Sequence, residues 1–265
     1  MLSIPFPVID PVALSIGPVA IRWYGISYVI GILLGLYWMK KTIKTNPSFH
    51  AISPISIDQF LSIAIIGIVV GGRLGHVLFY TPSLLITDPI KIVYVWEGGM
   101  SFHGGLIGLI LAATWHCKKN HISFLKLGDL LACAAPIGLF FGRIANFING
   151  ELYGRLTDVP WAVIFPYGGP GARHPSQIYE ALLEGLGLFI LINMAATQSF
   201  FMKQAGKLAG MFLIGYGLAR FIVELFREPD IHLGYFFSFF TMGQLLSLPL
   251  LGVGVYLLTR KSSPR

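Results

Sequence analysis

The chain has 265 residues, 55% of them hydrophobic and only 12% charged, with a mean hydropathy of +0.72 and a formal net charge of +7. This composition excludes an ordinary soluble globule and describes a polytopic membrane protein. The positive balance does not imply a nucleic-acid partner, because no basic stripe accompanies an aqueous domain.

Residues 1–17, with Pro5, Pro7 and Pro11 among apolar neighbours, read either as an external arm lying on the membrane surface or as an irregular leader with no role of its own. No cleavable signal peptide is expected, since nothing basic precedes Arg22 and the first apolar stretch is long and followed by lysines. Apolar stretches of about 20 residues, the length that crosses a bilayer core, are predicted at 18–39, 57–79, 98–116, 124–147, 178–197, 206–226 and 238–259. The expected fold is therefore all-α, a polytopic membrane protein of seven transmembrane helices forming a single transmembrane domain over residues 1–265.

Orientation follows from the basic residues between these stretches. Lys40, Lys41, Lys44, Lys118, Lys119, Lys126, Lys203, Lys207, Arg260, Lys261 and Arg265 all fall on one side, eleven of the nineteen Lys and Arg. Cytoplasmic loops carry such an excess, so the C-terminus is expected in the cytoplasm and the N-terminus outside. Residues 151–177 then form a small external cap between the fourth and fifth helices. Its length is uncommon without a function. Cys117 and Cys133 lack C-x-x-C spacing and read as structural thiols. No metal-ligand cluster is evident.

Under this topology the intramembrane polar residues collect on the outer side. The first helix begins there with Arg22, Trp23 and Tyr24, and the second ends there with Arg73 and His76. The third begins with Glu97, Ser101 and His103, the fourth ends with Arg143 and Asn146, the fifth begins with Tyr179 and Glu180, and the sixth ends with Arg220 and Glu224. Asp129 and Glu184 stand apart. Ionisable groups in hydrocarbon are costly and mark functional sites by default. A one-sided polar chamber suits a lipid headgroup in the outer leaflet, whereas a pore or transporter would carry polar groups through its depth.

The run from Gly142 to Arg155 is the most informative, because it places Arg143, Asn146, Asn149, Glu151 and Arg155 where an apolar segment leaves the membrane. Arg143 and Asn146 share a helix face, and a forked guanidinium can hold a phosphodiester by two hydrogen bonds. Glu151 would orient an arginine or balance its charge; the plainer alternative is an interfacial arginine with asparagines capping the helix. Tyr216, Arg220, Glu224 and Arg227 form one stripe that runs on to Asp230. It is either a self-satisfied intrahelical ion pair or a second cation beside Arg143. His103 lies among Gly98, Gly99, Gly104 and Gly105, where a ligand or a neighbouring helix could come close to the backbone. It is a candidate base or phosphate contact, or a structural histidine.

At these residues the chain resembles the bacterial phosphatidylglycerol:prolipoprotein diacylglyceryl transferases over essentially its whole length. The match rests on Arg22 to Gly25, Ser101 to Gly105, Gly142 to Arg155, His174 to Glu180, and Tyr216 to Asp230, with Ala145 where many members would carry glycine. The resemblance implies an inner-membrane enzyme whose active site faces the periplasm. Its lipid donor would be phosphatidylglycerol, and its acceptor the lipobox cysteine in the signal-peptide region of a prolipoprotein. By the same resemblance Arg143 and Arg220 are the phosphate ligands and His103 is the thiol base or its proton relay. Tyr24, Asn146, Glu151, Gly154 and Glu224 shape and orient the site. No cofactor or metal is implied. The alternative reading from another class is a lipid or anion transporter with an arginine-lined chamber in the outer leaflet.

Overall fold

The computed structural model describes residues 4–7, 9–17, 19–228 and 240–261. The protein is mostly helical. Its long helices are α1 (Trp23–Thr45), α2 (Pro54–Tyr80), α3 (Phe102–Lys119), α4 (Phe124–Ile148), α5 (Ser176–Ala195), α6 (Lys207–Val223) and α7 (Met242–Thr259). Five of them, α1, α2, α4, α5 and α7, are long and apolar enough to cross a membrane, which makes this an all-α membrane protein. The other two have 18 and 17 residues and coincide with the third and sixth predicted stretches. The predicted seventh stretch begins at 238, outside the described residues, as do Asp230 and both chain ends.

Local chemistry explains several helix boundaries. Pro54 opens α2 after Ser53, whose hydroxyl accepts the Ser56 amide at 3.0 Å. Ser101 caps α3 in the same way, and Thr241 with Gln244 forms a reciprocal capping box at α7. The start of α6 is capped from another helix: the Asp129 carboxylate accepts the amides of Gly206 at 2.7 Å and Ala209 at 2.9 Å. A fully buried carboxylate inside α4 thus has a structural use, satisfying amides that a helix start leaves unpaired. Pro136 and Pro249 lie inside α4 and α7, as membrane helices tolerate.

By its contacts the chain divides into two compact units, Met1–Met39 with Gly128–Arg265, and Lys40–Leu127. In the second unit α2 and α3 pack backbone to backbone. Gly67, Gly71 and Gly75 of α2 recur every fourth residue and meet Gly104 and Gly108 of α3. A methyl group added to Gly71 would lie 2.9 Å from the Gly108 Cα, and one on Gly75 2.8 Å from the Gly104 Cα. Small residues at this spacing let membrane helices touch without side chains between them. Of the two uses expected for the glycines around His103, close approach of a neighbouring helix is realised at Gly104.

In the first unit the residues before α1 form short strands, β1 (Ile4–Pro5), β2 (Val12–Ile16) and β3 (Val19–Arg22). Strands β2 and β3 make an antiparallel hairpin. Strand β1 pairs in parallel with β4 (Val163–Ile164), inside the segment expected to form a cap. Phe6 packs on Phe147 and Phe165 with ring centroids 5.5 Å apart in both cases. The arm is therefore bonded to the segment between α4 and α5. Both cysteines are free and buried, in keeping with structural thiols.

Candidate functional site

The first unit gathers the end of α4, the start of α5 and the end of α6 around a buried ionic cluster. Arg143 donates through Nε and Nη2 to Glu184 Oε2, at 3.3 and 3.1 Å, and its Nη1 lies 3.2 Å from Glu180 Oε2. Arg220 pairs with Glu180 through Nη1 and with Glu224 through Nη2. Arg227, just beyond α6, adds its Nη1 to Glu180 at 3.3 Å. The carboxylate side chains of Glu180 and Glu184 are 0% exposed, and those of Arg143 and Arg220 only 15% and 16%. Arg143, Arg220 and Arg227 balance Glu180, Glu184 and Glu224 in charge. Buried charges on this scale are tolerated only when paired.

Helical spacing produces the arrangement. Glu180 and Glu184 are four apart, and Ala181–Gly187 forms a wider π-helical turn within α5. Such turns widen a helix and recur at functional sites. Arg220 and Glu224 are likewise four apart. Both readings of the stripe are thus realised: Arg220 is paired within its own chain segment, and it is also the second cation beside Arg143, since both reach Glu180.

Glu184, expected to stand apart, is an Arg143 partner instead, because the turn from Glu180 brings it to the same face of α5. Glu151, expected to orient an arginine, has no arginine ion pair among the described residues. It lies past the end of α4 and faces back along it, so that its Oε1 accepts Asn146 Nδ2 at 2.8 Å and Asn149 Nδ2 at 3.4 Å. Glu180 and Glu184 take the arginines instead. Tyr24 pairs with Tyr28, the hydroxyls 3.2 Å apart and the rings edge to face at 5.0 Å.

Gly154 is a crossing point of backbones. Its amide donates to the His174 carbonyl at 2.8 Å, and a methyl group there would lie 2.6 Å from the His174 Cβ and 2.7 Å from its carbonyl oxygen. Only glycine fits. Arg155 beside it donates to the Arg227 and Glu224 carbonyls at 2.8 and 3.3 Å, tying this segment to the end of α6. Gln177 and Ser176 donate to the carbonyls of Glu151 and Leu152 at 2.6 and 2.9 Å, which fixes it to the start of α5. Arg173 donates to the Gly168 and Gly154 carbonyls and to Glu228, and lies 5.0 Å over the Tyr153 ring. His174 is 3.0 Å through Nδ1 from the Tyr179 hydroxyl, which also accepts Trp161 Nε1 at 2.7 Å. Burial holds the His174 imidazole below the ordinary histidine range.

His103 belongs to the second unit, on the first turn of α3. It is exposed and its side chain makes no hydrogen bond among the described residues; its ring sits edge-on to Phe102 at 5.6 Å. Arg73, counted with the outer polar residues, has a structural task in the same unit. It donates to the carbonyls of Ile92, Lys91 and Gly98 at 2.9, 2.6 and 2.5 Å and so pins the connection from α2 to α3. Sequence reasoning missed Glu180 and Glu184 as arginine partners. Two glutamates four apart in an apolar helix carried the signal.

A helical membrane protein with arginines held around buried carboxylates at its helix ends is the class that fold and site define. The family model for prolipoprotein diacylglyceryl transferase matches residues 11–260. The chain is 53% identical to the phosphatidylglycerol--prolipoprotein diacylglyceryl transferase of Allorhizobium ampelinum over 97% of this chain and 91% of that protein. It is 48% identical to the one of Rhodospirillum rubrum over 100% and 97% of the two chains, and 50% identical to the one of Rickettsia bellii over 96% of each. The chain belongs to the prolipoprotein diacylglyceryl transferase family.

Proposed function

We propose that this protein transfers the diacylglyceryl group of phosphatidylglycerol to the thiol of the lipobox cysteine of a prolipoprotein, the first step of bacterial lipoprotein maturation. The names of its relatives support this reading. The structural observation that carries it is the pair Arg143 and Arg220, nearly buried and held around one carboxylate at the ends of apolar helices. That is where a lipid phosphate meets cations while its chains stay in hydrocarbon.

The chemistry fits such a site. The thiol gives its proton to a base, and the sulfur attacks the terminal glycerol carbon of the diacylglyceryl group. A carbon–sulfur bond forms as the carbon–oxygen bond to phosphate breaks, and the electron pair leaves on glycerol 1-phosphate. A free thiol has a pKa of about 8.5, so a base or cationic field is needed. In our reading Arg143 and Arg220 bind the phosphate and stabilise the charge it gains, where fixed donors in a dry site act most strongly. His103 is the proposed base or proton relay, because an imidazole can accept a proton and its ring nitrogens make no hydrogen bond among the described residues. Asn146, Glu151, Gly154, Tyr24 and Glu224 orient the groups around the phosphate.

We further propose seven transmembrane helices in one domain over residues 1–265, with the N-terminus outside, the C-terminus in the cytoplasm, and residues 151–177 as a periplasmic cap. The bacterial inner membrane is the expected location. The reading is tested by incubating the purified protein with phosphatidylglycerol and a lipobox peptide and weighing the peptide. A mass gain of one diacylglyceryl group is expected; an unmodified peptide beside an active control transferase contradicts the reading.

A further inference from the structure

We infer that Glu180 is the positioning residue of the transfer site, holding the guanidiniums of Arg143 and Arg220 at the spacing a phosphodiester then spans. The inference rests on the proposed function and goes beyond it. Glu180 is fully buried and takes three arginines from two chain segments, α4 and the end of α6. Its Oε2 faces Arg143 Nη1 of α4 at 3.2 Å, and its Oε1 accepts Arg220 of α6 and, at 3.3 Å, Arg227 beyond α6. Glu184 reaches Arg143, and Glu224 reaches Arg220, so those two steady one phosphate ligand each. Glu180 is the carboxylate that joins the two.

Two guanidiniums brought together in a low-dielectric site repel each other. A carboxylate between them cancels the repulsion and, because each guanidinium is a planar fork, fixes their angle as well as their separation. Each fork has five N–H donors, so serving the carboxylates still leaves donors for phosphate oxygens. Glu180 is fully buried against the arginines it pairs with, so in this inference it acts on the lipid through them.

Glu180→Gln separates positioning from mere structural support. Glutamine keeps the shape but removes the charge, so the arginines lose their fixed relation and regain mutual repulsion. A phosphate that enters then relieves this repulsion, and lipid binding should tighten while chemistry slows. The experiment measures donor-lipid affinity, single-turnover rate and melting with and without phosphatidylglycerol, on the full chain in vesicles of phosphatidylglycerol and a zwitterionic lipid. We expect the rate to fall at least about tenfold, affinity to rise about three- to tenfold, and the lipid to raise the melting temperature more in the variant than in the native protein. An unchanged rate, or a lower rate with weaker or unchanged lipid affinity, overturns the inference.

If Glu180→Gln alone fails to fold, the double substitution Glu180→Gln with Arg227→Gln keeps the charge balanced. It should fold and still show the lost rate, and full turnover there would equally overturn the inference. Failure of the proposed function is distinguishable, since the native protein would then form no thioether, while the affinity and melting comparisons would still report on Glu180.

Discussion

Arg143 turns Nε, Nη1 and Nη2 toward two carboxylates on neighbouring α5, and a lysine ammonium cannot serve both from one point. Arg143→Lys should therefore cut transfer by at least about tenfold, and Arg143→Ala by more, with most of the protein still folded. Steady-state rates together with melting curves check this; near-normal turnover in the lysine variant would reduce Arg143 to an interfacial anchor. The arginines were legible in the sequence because a charge in an apolar segment is conspicuous. Their partners were less so. Glu184 lies one helical turn deeper than Glu180, and a reading by depth alone separates residues that a shared face brings together. Glu151, expected to orient an arginine or balance its charge, meets asparagines: the chain turns at Gly150, where φ is +65°, and its carboxylate accepts Asn146 and Asn149.

His103 poses the sharper test among single residues. If it is the thiol base, His103→Gln should keep donor-lipid affinity yet lose the rise of rate with pH that a titrating imidazole produces. A phosphate contact would instead weaken lipid binding and leave the pH profile of the remaining activity intact. A structural histidine would show as a lowered melting temperature. Unchanged pH dependence with full turnover removes it from the mechanism.

Among the elements, the segment between α4 and α5 is fastened by carbonyl contacts around a small apolar cluster of Phe165 with Phe6, Phe147 and Tyr153. Arg173, Ser176 and Gln177 donate to backbone oxygens within it, and Arg155 donates from it to carbonyls at the end of α6. Its length and aromatic content were readable; its fastening was not, because arginine-to-carbonyl bonds leave no periodic mark. The pairing of β1 with β4 was hidden for the same reason, since two residues on each side are too few for a strand pattern. By contrast the glycines of α2 recur at a fixed spacing, a visible signal whose partner in α3 only the fold reveals.

This segment carries a pH prediction. The folded-state pKa of His174 is lowered by burial, so as pH falls below about 6.5 the unfolded state takes up a proton that the folded state resists. The contribution of His174 to stability is therefore present at neutral pH and is lost on acidification through the ordinary histidine range. Amide protection in residues 151–177, measured relative to the intrinsic exchange rate at each pH, should fall between pH 7 and pH 5, and His174→Gln should flatten that trend. Protection in the segment that is equally pH-dependent in the variant would contradict the assignment.

For the whole molecule, composition alone established a helical membrane protein, since 12% charge cannot clothe a soluble surface of this size. The places of the long helices were also legible, because hydrophobic length is a physical requirement of the bilayer. Packing within each unit was not, since it depends on glycine contacts and buried ion pairs that hydropathy does not register. Orientation rests on the eleven basic residues of one side. A reporter fused after Arg265 should be cytoplasmic and one at Met1 external; periplasmic labelling of the C-terminal reporter would sink the seven-helix topology.

In the proposed function the buried arginine pair serves bond-making on a lipid and not passage of the lipid through the protein. This role is tested most directly by a single-turnover reaction in vesicles of phosphatidylglycerol containing the native protein and a lipobox peptide, with peptide mass and released glycerol 1-phosphate measured together. One thioether-linked diacylglyceryl group is expected on each modified peptide, with one glycerol 1-phosphate for each group transferred, and both should fall together by at least about tenfold in Arg143→Lys. Movement of phosphatidylglycerol between leaflets with an unmodified peptide and no glycerol 1-phosphate would contradict it.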